Sequence, residues 1–191
     1  DVRNVWAPEL FYDAETGNYI IIFASTIPSR FPIREGEQNA NRMYYTLTKD
    51  FVTFSDPQLL TDPDYNSIDA VIVKRAADDY VLVIKNNIKR YSDLRVAFGK
   101  KPLGPYTDFS APFTPHFSEG PTVVKVKEDW LIYYDQYRDK IYGAMKTRDF
   151  KTFTDITGEV SVLKGHKHGT IIKVSKKTIR QLKAFSEGKA D

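Results

Sequence analysis

Short apolar runs recur along this chain in one repeated arrangement. An apolar run enters a polar turn and emerges into a second apolar run, three times over, at lengths that fit strands. The first copy reads Trp6-Ala7-Pro8-Glu9-Leu10-Phe11-Tyr12, turns over residues 13–18, and continues as an apolar run over 19–25. The second opens at Ile68-Asp69-Ala70-Val71-Ile72-Val73 and resumes over 80–85; the third opens at Ser118-Glu119-Gly120-Pro121-Thr122-Val123-Val124 and resumes over 130–134. From Glu9, Asp69 and Glu119 to the aromatic that begins the second run (Tyr19, Tyr80, Trp130) the spacing is 10, 11 and 11 residues.

Third runs follow at 43–48, 94–98 and 141–146. Two of them continue into near-identical tails, Thr48-Lys49-Asp50-Phe51-Val52-Thr53-Phe54 and Thr147-Arg148-Asp149-Phe150-Lys151-Thr152-Phe153. The middle copy carries Lys101-Pro102-Leu103-Gly104-Pro105-Tyr106 instead, a turn before an aromatic. Four strands per unit at a period of about 50–60 residues predict the blades of a β-propeller. The blades fall at 1–62, 63–112 and 113–160. A further unit starts at His168-Gly169-Thr170, predicting the inner strand of a closing blade within 166–174. A short helix is predicted over 175–186, capped by Ser175, with Ile179, Leu182 and Phe185 on one side. The expected fold is therefore all-β, an arc of about three and a half blades. A β-sandwich of about 14 short strands is the other architecture compatible with such runs, but sandwiches do not repeat an acid-to-aromatic spacing.

Composition narrows the function. The 191 residues are 41% hydrophobic and 28% charged, and 28 basic against 25 acidic side chains leave a net charge of +3. That charge is spread evenly, so no nucleic-acid footprint is present. No apolar run is long enough to span a bilayer, and no membrane association is expected. The absence of cysteine removes disulfides, thiolate nucleophiles and Cys-ligated metals. Twelve Tyr, 12 Phe and 2 Trp make 14% of the chain, a density that favours strands.

The inner strand of each blade lines a propeller's central channel, so Glu9, Asp69 and Glu119 are expected to face a common cavity. Carboxylates gathered there repel one another and raise at least one pKa, the arrangement that acid–base cleavage of a glycosidic bond requires. Any one such acid equally suits a structural role, accepting backbone amides of a neighbouring turn. Asp69 and Glu119 are each followed by a small residue, Ala70 or Gly120, which lets a ligand approach. Glu9, between Pro8 and Leu10, is read as structural. Trp6 is either core packing or a stacking platform for a sugar. The long polar insertion at 28–41 is a loop that narrows the pocket mouth.

The run Asn4-Val5-Trp6-Ala7-Pro8-Glu9, then Ser67-Ile68-Asp69-Ala70, then Ser118-Glu119-Gly120-Pro121, then His168-Gly169-Thr170 resembles glycoside hydrolase family 43. The resemblance covers essentially the whole chain. It implies a five-bladed propeller that hydrolyses arabinofuranosyl or xylosyl linkages of plant-type polysaccharides with inversion. It makes Glu119 the general acid, Asp69 the residue that orients it and raises its pKa, and Trp6 a wall of the sugar subsite. It implies no cofactor for the chemistry, but places His168 beside a structural calcium at the propeller centre. The expected partner is an oligo- or polysaccharide, and a glycan substrate points to the periplasm or the cell exterior. One feature departs from the family. Its general base is an aspartate in a first-blade Arg-Asp-Pro motif, and the Asp-Pro pairs here (Asp56-Pro57, Asp62-Pro63) fall in loops between blades. The chain is accordingly expected to be the C-terminal portion of a longer polypeptide, inactive alone, with the remainder as a covalent or companion segment. The alternative function is a non-catalytic propeller that binds glycan.

Overall fold

The computed structural model describes residues 1–163 and 165–188. Three antiparallel sheets follow one another along the chain. The first contains β1 (Trp6–Asp13), β2 (Asn18–Ser25), β3 (Arg42–Thr48) and β4 (Gln58–Thr61), in that order. The second contains β5 (Ser67–Ala76), β6 (Asp79–Asn86) and β7 (Asp93–Gly99). The third contains β8 (Ser118–Val126), β9 (Asp129–Gln136), β10 (Ile141–Thr147) and the two-residue β11 (Thr154–Asp155). The innermost strands β1, β5 and β8 lie side by side. The sheets thus fan outward from them as blades of an open arc.

Side-chain alternation on β6 explains how the blades hold together. Tyr80, Leu82 and Ile84 pack toward the first sheet, with Ile20, Ile22 and Met43. Val81 and Val83 pack the other way, toward Ile132, Tyr134 and Met145 of the third sheet. A strand covered on both faces needs an unbroken apolar run, which is what residues 80–84 provide. In β1 only one face is covered, and Leu10 and Tyr12 remain exposed on the other.

Two expectations are corrected. The middle sheet has three strands, and only an isolated bridge between Phe98 and Thr107 stands where its fourth would lie. Pro102 and Pro105 remove amide donors there that a ladder would need. No strand forms within 166–174 among the described residues. The Ile171 N–H donates instead to the Thr122 hydroxyl of β8 (2.9 Å), where a ladder would use a main-chain carbonyl. The helix is present as α1 (Lys176–Ser186), with the Ser175 hydroxyl accepting from the Thr178 N–H at 3.0 Å. None of its residues is buried. It is too short to cross a membrane, and no other described helix is long enough.

The repeated tails fold alike. Thr48 and Thr147 accept from the N–H of Phe51 and Phe150 (2.8 and 2.9 Å). Asp50 and Asp149 each accept from the next two free amides, all four bonds at 2.8–2.9 Å. Their surroundings differ: Phe150 is 1% exposed between the second and third sheets, whereas Phe51 is 49% exposed beside Tyr19. Phe150→Ala is therefore expected to cost about 3–5 kcal/mol, and Phe51→Ala under about 1 kcal/mol. Urea unfolding of the two variants checks this, and equal losses would contradict the packing described.

Candidate active site

The inner strands share a local irregularity that builds the site. In each, two residues bulge opposite one residue of the neighbouring strand: Ala7-Pro8, Asp69-Ala70 and Gly120-Pro121. The first residue of each bulge has positive φ (47°, 52° and 57°). Bulges re-aim side chains, and they commonly border active sites for that reason. The shared register also revises the sequence alignment. Trp6, Ile68 and Glu119 are equivalent, as are Ala7, Asp69 and Gly120, and again Glu9, Val71 and Thr122. The three acids thus occupy three different positions of one motif rather than a single repeated one.

They converge nonetheless. The Gly120 N–H donates to Asp69 Oδ2 at 3.0 Å, joining the second sheet to the third. His168 Nε2 lies 3.2 Å from Glu119 Oε1, and Lys85 Nζ donates to Glu119 Oε2 at 2.7 Å. Ligand atoms of Asp69, Glu119 and His168 all lie within 4.8 Å of one another. Beside them opens a cavity of about 240 Å³ lined by Glu9, Asp69, Ala70, Gly120, His168 and Thr170, among others. Gly120 is needed here twice over. Its φ is positive, and a Cβ would lie 2.6 Å from the His168 ring. What the glycine admits is therefore the imidazole.

The carboxyls are driven apart electrostatically. Burial pushes Asp69 upward, the largest effect on it, and Lys85 and the Gly120 amide only partly oppose this. Repulsion from Glu119 is the smallest contribution, so desolvation rather than crowding raises Asp69. Burial also pushes Glu119 up. Hydrogen bonds and charge from His168 and Lys85 together outweigh it and hold that carboxyl at about 2. The same contact with Glu119 raises His168. Glu9 is raised by burial, partly offset by the Leu10 amide and by the Thr170 hydroxyl, which donates to Oε2 at 3.2 Å.

Glu9 was read as merely structural, yet it lines the cavity. Trp6 is 44% exposed on β1 and is not itself among the lining residues, although its neighbour Ala7 is. Two residues were missed. Lys85 is 3% exposed and ends the apolar run of β6, and a cation closing such a run is a detectable signal. Asp135, equally buried, pairs with Glu119 across the β8–β9 ladder and is raised by burial and then by Glu119. For calcium, the cluster offers two carboxylates and one imidazole, against the six to eight oxygens that ion takes. The Lys85 ammonium already neutralises one of those carboxylates. With three protein ligand atoms at hand, a calcium beside His168 would take most of its shell from water.

Comparison with known proteins agrees with the blade arrangement. The chain belongs to a glycosyl hydrolase family related to family 43, described as "Probable glycosyl hydrolase domain", whose model matches residues 1–179. A stretch of 76 residues is 33% identical to an alpha-L-arabinofuranosidase of Bifidobacterium longum subsp. longum, covering 36% of this chain and 7% of that protein. Among solved structures, an alpha-L-arabinofuranosidase from Lactobacillus brevis superposes with a TM-score of 0.59 at 18% identity, over 80% of this chain and 54% of that one. A thermostable family-43 glycoside hydrolase does so with a TM-score of 0.61 at 13% identity, over 81% and 54%. At such identities these likenesses concern the fold. The chain spans about half the length of those two structures.

The electrostatics have a direct check. Glu119 has a folded pKa below its usual 4.5, so its ion pairs stabilise the fold at neutral pH. That contribution is lost as pH falls from 4.5 toward about 2. A carbon-13 NMR titration should place Glu119 near the lower value and show it moving upward in Lys85→Gln. An unchanged midpoint would show that Lys85 does not hold it.

Proposed function

We propose that this chain carries the acid side of a glycosidase active site that hydrolyses arabinofuranosyl or xylosyl linkages by single displacement. The observation that carries the reading is the meeting of Asp69, Glu119 and His168 within 4.8 Å of one another, beside a cavity that Asp69, His168 and Gly120, the residue after Glu119, line, in a member of a glycosyl hydrolase family. Glu119 donates its proton to the glycosidic oxygen as the bond from that oxygen to the anomeric carbon breaks. Water attacks the anomeric carbon from the opposite face and gives a proton to a general base outside this chain. The product sugar is inverted, and acid and base stand about 6.5–9.5 Å apart to admit the water. Asp69 positions the acid by accepting from the Gly120 amide, the residue after Glu119.

A proton donor must hold its proton, and in the free site Lys85 and His168 keep Glu119 ionised. Substrate binding shifts that balance. His168 is the more exposed partner, its side chain 46% accessible against 4% for Lys85. A sugar that displaces it and excludes water removes one stabilising contact and strengthens the desolvation that already acts most strongly on Glu119.

The depressed Glu119 also favours a second reading, in which a permanently ionised carboxylate accepts hydrogen bonds from sugar hydroxyls in a non-catalytic glycan binder. Kinetics on the whole protein separate the two. Glu119→Gln should abolish most activity on glycans with poor leaving groups and spare much of it on an activated aryl arabinofuranoside. Equal loss on both substrates, or none, would remove Glu119 from the acid role. A wild-type protein that binds arabinan without cleaving it would establish the binder.

A further inference from the structure

Charge that is spread evenly along the sequence is partly gathered by folding. Three loops stand at the end of the sheets where Asp69 and Glu119 lie: residues 87–92 between β6 and β7, residues 115–117 before β8, and residues 137–140 between β9 and β10. Together they carry Lys89, Arg90, Arg138 and Lys140 against one acid, Asp139, and all five side chains are exposed. Glu37 lines a cavity with Lys89. Yet among the described residues no carboxylate lies within ion-pair distance of any of the four cations. Elsewhere arginines are paired, Arg34 with Asp64, Arg75 with Asp79 and Arg148 with Asp129.

Aromatic rings brace these cations. Tyr91, His116, Phe117 and Tyr137 form a continuous row, their ring centres 6.2, 6.3 and 6.0 Å apart in turn. His116 Nδ1 lies 2.9 Å from the Tyr91 carbonyl. The Ser118 N–H donates to the Ser92 carbonyl at 2.8 Å, and the Tyr137 N–H to the Phe117 carbonyl at 3.2 Å. These bonds tie the three loops together and hold Phe117 at a φ of 66°, a region that an aromatic residue enters at a cost. The Arg138 guanidinium lies over the Phe117 ring, 3.5 Å from its centre. Among the described residues it makes no hydrogen bond, so its N–H donors are held in place and free. Tyr91, at the end of the row, is 44% exposed.

A guanidinium braced on a ring and left without an acceptor is suited to a carboxylate, which it binds through two parallel N–H bonds. The exposed tyrosine in the same row offers its face to the C–H surface of a sugar ring. We propose that this ridge is a surface site for an acidic polysaccharide. Arg138 takes the carboxylate of one uronic acid residue, and Tyr91 stacks on a ring of the polymer. Lys89, Arg90 and Lys140 meet further carboxylates. Cations on the loops of two different blades suit a chain of charged rings better than a single one. The choice of a glycan over other polyanions rests on the glycosidase reading above. The ridge holds the polymer on the same end of the sheets as Glu119 and takes no part in breaking the bond.

Calorimetric titration of the chain with polygalacturonate, with the fully methyl-esterified form of that polymer and with polyglutamate tests the assignment. In about 50 mM NaCl the wild type should bind polygalacturonate roughly tenfold more tightly than its ester, an advantage that about 0.5 M NaCl largely screens. Arg138→Gln and the double variant Lys89→Gln/Arg90→Gln should each remove most of that advantage. Lys173→Gln, which removes an exposed cation outside the ridge, should keep it. Tyr91→Ala should weaken the acid and the ester alike. None of these side chains makes an internal hydrogen bond, so the fold does not depend on them. An ester bound as tightly as the acid would overturn the site, as would ridge variants that keep the advantage or a Lys173→Gln that loses as much. Polyglutamate bound as tightly as polygalacturonate would show a general polyanion surface and overturn the glycan. With α-1,5-arabinotriose titrated alongside, a chain that binds it but not polygalacturonate overturns the ridge alone. One that binds neither removes the glycan reading from both sites.

Discussion

The hydrogen bond from the Gly120 N–H to Asp69 Oδ2 is the constraint on which the site depends. It joins two bulges at equivalent points of neighbouring blades, and both ends have positive φ. For Asp69 that conformation is strained, typically by about 1–3 kcal/mol for a residue other than glycine. The strain aims a buried carboxylate at the adjoining blade, where an amide meets it. The missing Cβ of Gly120 then leaves space for the His168 ring, which reaches Glu119. A single exchange at either end would disturb the whole cluster.

Burial supplies the second layer of the account. The middle blade is covered on both faces, so the polar groups at the ends of its strands are desolvated and must find partners. Lys85 finds Glu119 and, with His168, lowers it, while burial raises Asp69 against the opposing charge of Lys85, so the two carboxyls part. Environments that separate the pKa values of neighbouring acids are a feature of acid–base sites. The separation in the free site runs against the role proposed for Glu119, which is why substrate binding must shift it. The same neighbour dependence governs packing, as the buried Phe150 and exposed Phe51 of one repeated turn show.

Much of this was legible in the sequence. The runs at 6–12, 19–25, 43–48, 80–85 and 130–134 became strands because short apolar runs, dense aromatics and turn residues all pointed the same way. Asp69, Glu119 and His168 were legible as a group because each stands at the start of a repeated unit. The register was not. A bulge costs one residue of pairing without marking the sequence. The first hairpin also leaves four residues between paired positions where the others leave two, and this masked the offset among the three acids. Glu9 was dismissed for its bulky neighbours, although the bulge turns it into the cavity. Lys85 needed a partner that sequence does not show, and residues 171–174 read as a strand because apolar pattern says nothing about which atoms of a neighbour they meet.

The central claim is that a buried, upward-shifted Asp69 holds the bulge of the next blade through the Gly120 amide. The amide proton shift of Gly120, followed by NMR across acid pH, reports that bond directly. It should follow one titration with a midpoint above 3.8, the ordinary aspartate value, and lose that step in Asp69→Asn. A Gly120 amide that does not respond to pH, or that titrates unchanged in the Asp69→Asn protein, would contradict the account.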